Sequence, residues 1–293
     1  MPSLKEVKNR ITSVISTQQI TKAMRMVAAS KLRRSQEKMH QIRPYAGKLN
    51  GIVSNLTASI GADVDNDWYT VKRAENKILV IAITSDRGLC GAFNSTVIKA
   101  TVRLVQERYA SQFSQGNVTI LPLGKRSMEY FSKRKYNCAD SYWGIFGQLT
   151  FENVSKAGQH IIETFKQGRY DKVDIVYNEF KNVATQVLKI EQFLPIAAKT
   201  STNTHTPDYI FEPDAENLLA GLIPQLLNVQ LYRSVLESNA AEHAARMTAM
   251  DKASENAGEL LKELKLVYNR SRQAAITKEI LEIVGGAEAL KSA

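Results

Sequence analysis

The sequence is poor in the residues that build metal and nucleophilic sites. It has only two cysteines, Cys90 and Cys138, and four histidines that occur singly along the chain. Two cysteines without metal-type spacing indicate two reduced thiols rather than a disulfide framework or a zinc site. Isolated histidines do not predict a zinc centre or a histidine-activated nucleophile. We therefore expect no metal, no cofactor and no catalytic residue.

Long apolar runs are also missing. No uninterrupted apolar stretch approaches the ~18–20 residues that a membrane-spanning helix needs. Residues 1–10 are polar and charged, without the apolar stretch of a secretory signal. We expect a chain with no membrane span, in the cytoplasm of a bacterium-like cell.

Glycine and proline are absent from most of the first 43 residues. Residues 3–43 contain neither, and their apolar residues recur at helical spacing. Ser3 and Glu6 form a capping box that predicts the start of a helix, and Pro44 is expected to kink or end it. The apolar seam consists of Leu4, Val7, Ile11, Val14, Met24, Val27, Leu32 and Met39.

The last 70 residues show a second long helical pattern. Pro224 is expected to kink this helix or mark a second start within it, and Gly285–Gly286 is expected to stop it. Between them the seam steps by threes and fours, which is the heptad pattern of a coiled coil. Its members are Met247, Met250, Ser254, Ala257, Leu261, Leu264, Tyr268, Ser271 and Ala275.

The middle of the chain has the pattern of an α/β sheet. Helical patterns at 94–113, 126–135 and 151–167 alternate with segments rich in Val and Ile, which indicates right-handed crossovers. Only residues 181–185 separate the last two strands, which predicts an antiparallel hairpin. The predicted strands are Lys77–Ser85, Asn117–Leu123, Lys172–Phe180 and Gln186–Leu194.

The two long helices each have an apolar seam that must be buried, and pairing them antiparallel is the simplest solution. The predicted fold class is therefore α/β: a long antiparallel coiled coil of the N- and C-terminal helices with an inserted Rossmann-like α/β domain. We divide the chain into an N-terminal helix at 1–58, a globular domain at 59–212 and a C-terminal helix at 213–293. Linkers are expected at 60–75 and 199–214.

The positive charge is concentrated at the N-terminal end. The chain carries a net charge of +10, and residues 1–60 hold eleven Lys/Arg against two acidic residues. Such an excess implies an acidic partner surface. A basic coiled coil that binds nucleic acid or serves as a scaffold is the alternative. Nucleic-acid binding is disfavoured because residues 1–44 contain no aromatic residue for base stacking.

The loop after the first strand is the place where an α/β sheet of this kind would bind a nucleotide. Residues 85–94 match neither G-x-G-x-x-G nor the Walker pattern. The later Gly124–Ser127 segment lacks the Walker pattern's preceding glycine and the hydroxyl directly after Lys125. Gly88 and Gly91 instead predict a tight turn before a helix capped by Asn94. An enzyme is therefore disfavoured, although Cys90 lies just before a helix and is a candidate nucleophile.

Three blocks closely resemble the gamma subunits of F-type ATP synthases. They are the first-helix sequence ITSVISTQQITKAMRMVAASKLRRSQ, the loop SDRGLCGAFN and the closing block from Ala244 to Leu290. They occur in the order and spacing of that family, so the resemblance spans the chain.

The resemblance implies a central rotor shaft without a catalytic site, present in one copy inside a ring of alpha and beta subunits. It also implies contacts with the epsilon subunit and the c ring, and a peripheral position on the cytoplasmic face of the bacterial membrane. The segment Ile276–Leu290 is expected to lie in an apolar sleeve. The implied contacts with alpha and beta are Met24, Cys90, Arg246, Gln273, Thr277 and Glu279. From the charge pattern we add Arg25, Arg33 and Arg34 as partners of an acidic loop of beta.

Overall fold

The computed structural model describes residues 3–60, 68–71, 73–139, 142–196 and 215–291. It forms two compact units: residues 1–28 with 247–293, and residues 29–246. We call them the terminal unit and the sheet unit. The predicted linker at 199–214 lies outside the described residues, as do residues 61–67 and 72 of the other linker. The three-part division at 58 and 212 stays a prediction.

Six α-helices and four strands are present in the described residues. The helices are α1 (Leu4–Ile60), α2 (Phe93–Arg103), α3 (Ala110–Ser114), α4 (Lys125–Lys133), α5 (Phe151–Lys166) and α6 (Ala215–Lys291). The strands are β1 (Ile78–Ile83), β2 (Val118–Leu123), β3 (Lys172–Phe180) and β4 (Gln186–Leu194). A π-helical turn (Leu104–Arg108) follows α2, and a 3-10 turn (Ile145–Gln148) precedes α5.

The sheet has the predicted mixture of parallel and antiparallel strands. Its order is β2-β1-β3-β4, with β1 parallel to both β2 and β3. β4 runs antiparallel to β3 at the edge, which confirms the predicted hairpin. All six residues of β1 are buried because helices cover both faces of a central parallel strand. The mixed α/β class with long terminal helices is thus confirmed.

The two long helices do not stop where the sequence suggested. α1 passes through Pro44 and continues to Ile60, and α6 passes through Pro224. α6 also continues through Gly285–Gly286 to Lys291. An end of the helix at Pro44 and the expected stop at the glycine pair were wrong, whereas a kink at Pro44 stays a prediction. Pro44 has no amide hydrogen for the helical hydrogen bond at its position. Buried residues beyond it, such as Leu49 and Val53, pack into the core and stabilise that part of α1.

The predicted helix at 94–113 is divided by the π-helical turn. The Tyr109 amide donates to the carbonyl of Leu104, five residues earlier, instead of four. Tyr109 is thereby fully buried, and its hydroxyl donates to the carboxylate of Asp174 on β3. A buried carboxylate needs such a donor, and its burial raises the pKa of Asp174. The irregular turn thus places Tyr109 where its hydroxyl can partner Asp174.

In the terminal unit the two helices run antiparallel. Thr21 and Ser254 share a hydrogen bond of 2.7 Å between their hydroxyls, and the Gln18 amide donates to the Ser254 carbonyl at 3.2 Å. Arg25 forms a 2.6 Å ion pair with Asp251. Partners later in α1 therefore lie earlier in α6, as predicted for an antiparallel pair. These small and polar seam residues let the two backbones approach closely.

The heptad positions of α6 were predicted correctly, and one of α1 was not. All nine predicted seam residues of α6 are buried or half-buried. In α1, Val27 is 56% exposed, whereas the neighbouring Ala28 is 1% exposed. The seam of α1 passes through Thr21, Ala28 and Ser35, each seven residues apart. The pattern of large apolar residues did not reveal this part of the seam, because its members are small or polar.

Candidate partner interface

The predicted basic contacts of α1 lie at its surface. Arg33 and Arg34 are exposed, and Arg33 makes a 3.1 Å ion pair with Glu37 one turn later. Arg25 is half-exposed and held by Asp251, and Met24 is half-buried. An exposed ion pair of this kind contributes little to stability. Arg33 and Arg34 are therefore free to meet an acidic surface without loss of the fold.

The predicted contacts near the end of α6 are also exposed. Gln273, Thr277 and Glu279 face solvent, and the Thr277 hydroxyl donates to the Gln273 carbonyl at 2.9 Å. Every described side chain from Ile276 to Ala287 is exposed. The large apolar members of this segment are Ile276, Ile280, Leu281, Ile283 and Val284. A contiguous exposed apolar segment marks an interaction surface.

The loop at residues 85–94 is held from within. Ser85 receives a hydrogen bond from the Asn94 amide at 2.9 Å and donates to the Arg87 carbonyl at 2.6 Å. The Asn94 amide also donates to the Cys90 sulfur at 3.2 Å. The prediction that Asn94 caps the helix was wrong, since α2 begins at Phe93 and Asn94 fastens the loop instead.

Cys90 is buried inside this loop, in contact with Phe93 and Ala241. Burial raises the pKa of its thiol, so the neutral form is favoured and the nucleophile hypothesis gains no support. A partner that meets the loop would touch its exposed residues, Arg87, Leu89, Gly91 and Ala92, rather than the thiol.

Arg246 lies against the same loop. Its guanidinium donates to the carbonyls of Gly88 and Arg87, and to the carboxylate of Glu242 at 2.6 Å. Both Arg246 and Glu242 are buried, and burial raises the pKa of Glu242 despite the neighbouring guanidinium. Of the predicted contacts, the structure thus brings together Cys90 and Arg246.

His243 is buried beside this ion pair. Burial is the main cause that lowers its pKa to about 4, and the nearby charges of Lys31 and Arg246 act in the same direction. Its Nδ1 atom has no hydrogen-bond partner in the structure. The imidazole is therefore neutral near pH 7.

Leu89 is a surface residue that sequence reasoning missed. Its side chain is 67% exposed, and its backbone φ is +64°. This left-handed conformation is unfavourable for a branched residue and is normally taken by glycine. The sequence signal was present, because Leu89 is the one large apolar residue between Gly88 and Gly91, but its exposure could not be read from the pattern.

The start of α4 leaves no obvious place for a phosphate. The amides of Lys125, Arg126 and Ser127 donate to Asp86, to the Ser85 carbonyl and to Thr84, respectively. Gly124 has a φ of +117°, and a Cβ atom there would lie 2.2 Å from the Thr84 carbonyl oxygen. The glycine allows a close backbone approach, and the amides that bind anions at a helix N-terminus are occupied.

Among the described residues, no group of His, Cys, Asp or Glu could hold a metal ion. The helices in the same residues contain no stretch with the length and apolar character of a membrane span.

Comparison with known proteins gives a match over nearly the whole chain. The family model described as ATP synthase matches residues 3–290. The ATP synthase gamma chain of Cytophaga hutchinsonii is 53% identical over 296 residues, covering 100% of both chains.

Two solved structures are similar. A chain of the central stalk and c-ring structure of the Tetrahymena thermophila mitochondrial ATP synthase is 26% identical, with a TM-score of 0.55 over 80% of this chain and 99% of that one. A chain of the Euglena gracilis mitochondrial ATP synthase is 20% identical, with a TM-score of 0.66 over 98% and 94%, and shows the same fold.

Proposed function

The chain belongs to the family of ATP synthase gamma chains, and from this premise we propose how its parts perform the work of the central stalk. The function is that of a rotor shaft, which couples ion flow through the c ring to ATP synthesis or hydrolysis by the other subunits. The observation that carries it is the 53% identity to a bacterial gamma chain over its full length. No match supports the nucleic-acid or scaffold alternative.

A shaft can couple rotation to catalysis only if its contacts differ from one beta subunit to the next. A single copy in a ring of three alpha and three beta subunits presents a different side to each beta subunit. The contact free energy then favours a different conformation in each catalytic site, and rotation passes these conformations around the ring. The chain supplies no group to phosphoryl transfer, because catalysis belongs to the beta subunits.

The exposed C-terminal end of α6 is suited to turning inside an apolar sleeve of the partner subunits. Its large apolar residues, Ile276 to Val284, would be buried by an apolar sleeve of the alpha and beta subunits. Apolar contacts are non-directional, so they can be exchanged during rotation without breaking aligned hydrogen bonds. Gln273 lies one turn before this segment, Thr277 and Glu279 lie within its first half, and these three residues would make the few polar contacts.

The basic side of α1 is suited to an acidic loop of beta. Arg33 and Arg34 are exposed and carry the positive charge that implies such a partner. Arg25 and Met24 lie two turns earlier on the same helix. Their contact with beta is supported by the charge pattern and by the match of Met24 to a family position.

The chain is a peripheral part of the head of the complex. For this chain we further propose contacts with the epsilon subunit and the c ring, on the cytoplasmic face of a bacterial membrane. The bacterial origin of the closely similar gamma chains supports this placement.

Co-expression with the alpha and beta subunits tests the function. Native mass measurement should give one copy of this chain for each ring of six partners. The purified chain alone should hydrolyse no ATP. A complex with three equivalent copies, or turnover by the chain alone, would contradict the proposal. A duplex DNA titration serves as the control for the alternative, and should show weak binding without sequence preference.

A further inference from the structure

The two helices of the terminal unit are joined by a cluster of polar contacts. The hydroxyls of Thr21 and Ser254, both buried, lie 2.7 Å apart, and the Gln18 amide donates to the Ser254 carbonyl at 3.2 Å. One turn away, Arg25 and Asp251 form an ion pair at 2.6 Å. This ion pair is exposed and adds little, so the buried contacts carry the argument. We call Gln18, Thr21 and Ser254 the clasp.

Each hydroxyl of the clasp is also held by its own helix. The Thr21 hydroxyl lies 3.0 Å from the Gln18 carbonyl, and the Ser254 hydroxyl lies 2.9 Å from the Met250 carbonyl. Because each hydroxyl has one proton, one of them donates across the helix pair while the other donates to its own helix. A rotation of either helix by about 30° about its own axis moves a side-chain oxygen by roughly 2 Å, which breaks an O–H···O bond. The clasp therefore resists independent rotation of the two helices.

The apolar contacts beside the clasp resist this rotation less. Ala28 and Ala257 are buried, but a methyl group interlocks little with the facing helix. Apolar contact has no preferred direction, so small apolar residues do not fix a rotational position. The sheet unit differs, because large buried side chains such as Leu32 and Leu236 interdigitate in its core and hold both helices.

Gly258 is fitted to the clasp. It lies inside α6, where glycine is less favourable than alanine. A Cβ atom at this position would lie 3.2 Å from Nε2 of Gln18, which is closer than ordinary van der Waals contact. The absence of a side chain thus leaves room for the Gln18 amide to reach the Ser254 carbonyl, one turn earlier in α6.

We propose that Gln18, Thr21 and Ser254 form a torsional clasp, which fixes the rotation of α1 against α6 so that the helix pair twists as one body. This inference concerns the chain itself and goes beyond the proposed function. Under that function, the clasp would prevent torque from being lost as a turning of one helix against the other. The clasp and the exposed C-terminal end of α6 then have opposite tasks, since directional bonds prevent rotation where apolar contacts permit it.

Pulsed electron paramagnetic resonance on the full chain measures the rotational freedom of the two helices. Nitroxide labels are attached at Lys22→Cys on α1 and Glu255→Cys on α6, two exposed positions next to the clasp. Cys138 is replaced by serine, and Cys90 is buried. The intact clasp should give one narrow distribution of label distances. A broad distribution with the clasp intact would overturn the proposal.

The combination of Gln18→Met, Thr21→Val and Ser254→Ala removes the clasp. The side chains keep nearly the same size and neither hydroxyl is left without its partner, so the chain should melt close to the wild type. The distance distribution should broaden by about 3 Å or more, because a rotation of about 30° moves a group at the helix surface by this amount. Thr21→Ser keeps the hydroxyl and should retain the narrow distribution. A narrow distribution in the triple variant would refute the clasp.

Ser35→Ala is the matched control. The Ser35 hydroxyl donates to the Asn239 side chain at 2.6 Å, so this change also removes a hydroxyl contact between α1 and α6, but within the sheet unit. The core there should hold both helices, and the distribution of label distances should stay narrow. If Ser35→Ala broadened it as much as the triple variant, the specific role of the clasp would be wrong.

Gly258→Ala separates rotational freedom from stability. Alanine favours the helix, so the melting temperature should not fall. The added methyl group should displace the Gln18 amide and broaden the distance distribution, by less than in the triple variant. An unchanged distribution would contradict the part that we assign to Gln18 and Gly258.

The assembled complex tests the consequence for torque. With the head fixed to a surface and a bead on the sheet unit, the triple variant should show larger angular fluctuations during pauses than the wild type. Equal fluctuations would overturn the role in torque. Failure of the proposed function is a different outcome, in which the wild-type chain would not join alpha and beta, whereas the label distances of the chain alone would still decide whether the clasp exists.

Discussion

The terminal unit and the sheet unit bury their helices and strands in different ways. In the sheet unit, β1 contributes six fully buried residues, and large side chains such as Phe165 and Tyr177 fill the core. In the terminal unit the two helices meet through Thr21, Ala28, Ser254 and Ala257. The first arrangement buries much apolar area for each residue, and the second buries little. We expect the sheet unit to be stable alone and the terminal unit to gain stability from partners.

The largest expected effect lies in the sheet unit. Ile81→Ala should lower the free energy of unfolding by about 4 kcal/mol, because the side chain is fully buried and its loss leaves a cavity. Leu264→Ala in the terminal unit should cost about 2 kcal/mol, since this side chain is buried but is 8% exposed and lies outside the large apolar core. Denaturant-dependent hydrogen exchange, resolved by segment, measures both. If either substitution lowered the protection against exchange equally in both units, the two units would unfold as one cooperative block. The proposed difference in stability between them would then be wrong.

The second-largest expected effect is a dependence of the free energy of unfolding on pH, and it is confined to the sheet unit. The pKa of His243 is lowered to about 4, so the unfolded chain binds a proton below about pH 6.5 that the folded chain rejects. The contribution of neutral His243 to the free energy of unfolding is fully present above pH 6.5. As the pH falls towards 4, the free energy of unfolding decreases by up to about 3 kcal/mol. Urea unfolding at several pH values should show it.

His243→Asn should remove most of this acid loss, whereas His40→Asn, at an exposed position of α1, is the control and should retain it. The raised pKa of Glu242 acts in the opposite sense, because its protonation favours the folded state as the pH falls. Identical pH profiles for the wild type and His243→Asn would contradict the prediction.

A smaller effect is expected at the seam of the terminal unit. Ser254→Leu should cost about 2 kcal/mol, because the larger side chain cannot fit where the hydroxyls of Thr21 and Ser254 lie 2.7 Å apart. Ser254→Ala should cost about 1 kcal/mol, since the hydroxyl loses its hydrogen bonds with Thr21 and with the Met250 carbonyl but no larger side chain enters the seam. Helical circular dichroism during thermal melting distinguishes the two. A leucine variant as stable as the alanine variant would mean that the seam is loosely packed.

The smallest effect on stability is expected at the basic side of α1. Arg33→Glu with Arg34→Glu should change the free energy of unfolding by less than about 0.5 kcal/mol, because both side chains are exposed. The same variant should reduce ATP-driven ion pumping in the assembled complex. Reversal of Lys5 and Lys8, two exposed residues nearer the start of α1, is the control. Normal pumping in the Arg33 and Arg34 variant would refute an acidic partner there.

Most of the sheet could be predicted because its signals are local. Runs of Val and Ile fixed β1 and β2 to within one or two residues and β3 and β4 without error. The hairpin between the last two strands followed from the short connection of residues 181–185. The seam of α6 followed from its heptads, because its members recur at steps of three and four residues without interruption.

The features that were missed depend on contacts far apart in the chain. α1 passes Pro44 because Leu49 and Val53 pack on the sheet unit, and no local pattern carries that information. The π-helical turn places Tyr109 against Asp174, which lies 65 residues later, and such a distant partner cannot be read from the local sequence. At the candidate interface, the exposed residues Arg33, Arg34 and Gln273 followed from charge and resemblance, but the burial of Cys90 and Arg246 required the structure.

The small side chains of the helix pair have a consequence for the width of the shaft. Helix axes separated by residues such as Ala28, Ala257 and Gly258 approach to about 8 Å, whereas large residues hold them at about 10 Å. A thinner pair of helices fits a narrower channel through the ring of alpha and beta subunits. On this view, replacing the seam by leucines would force the helices apart and produce a shaft that is too thick to turn.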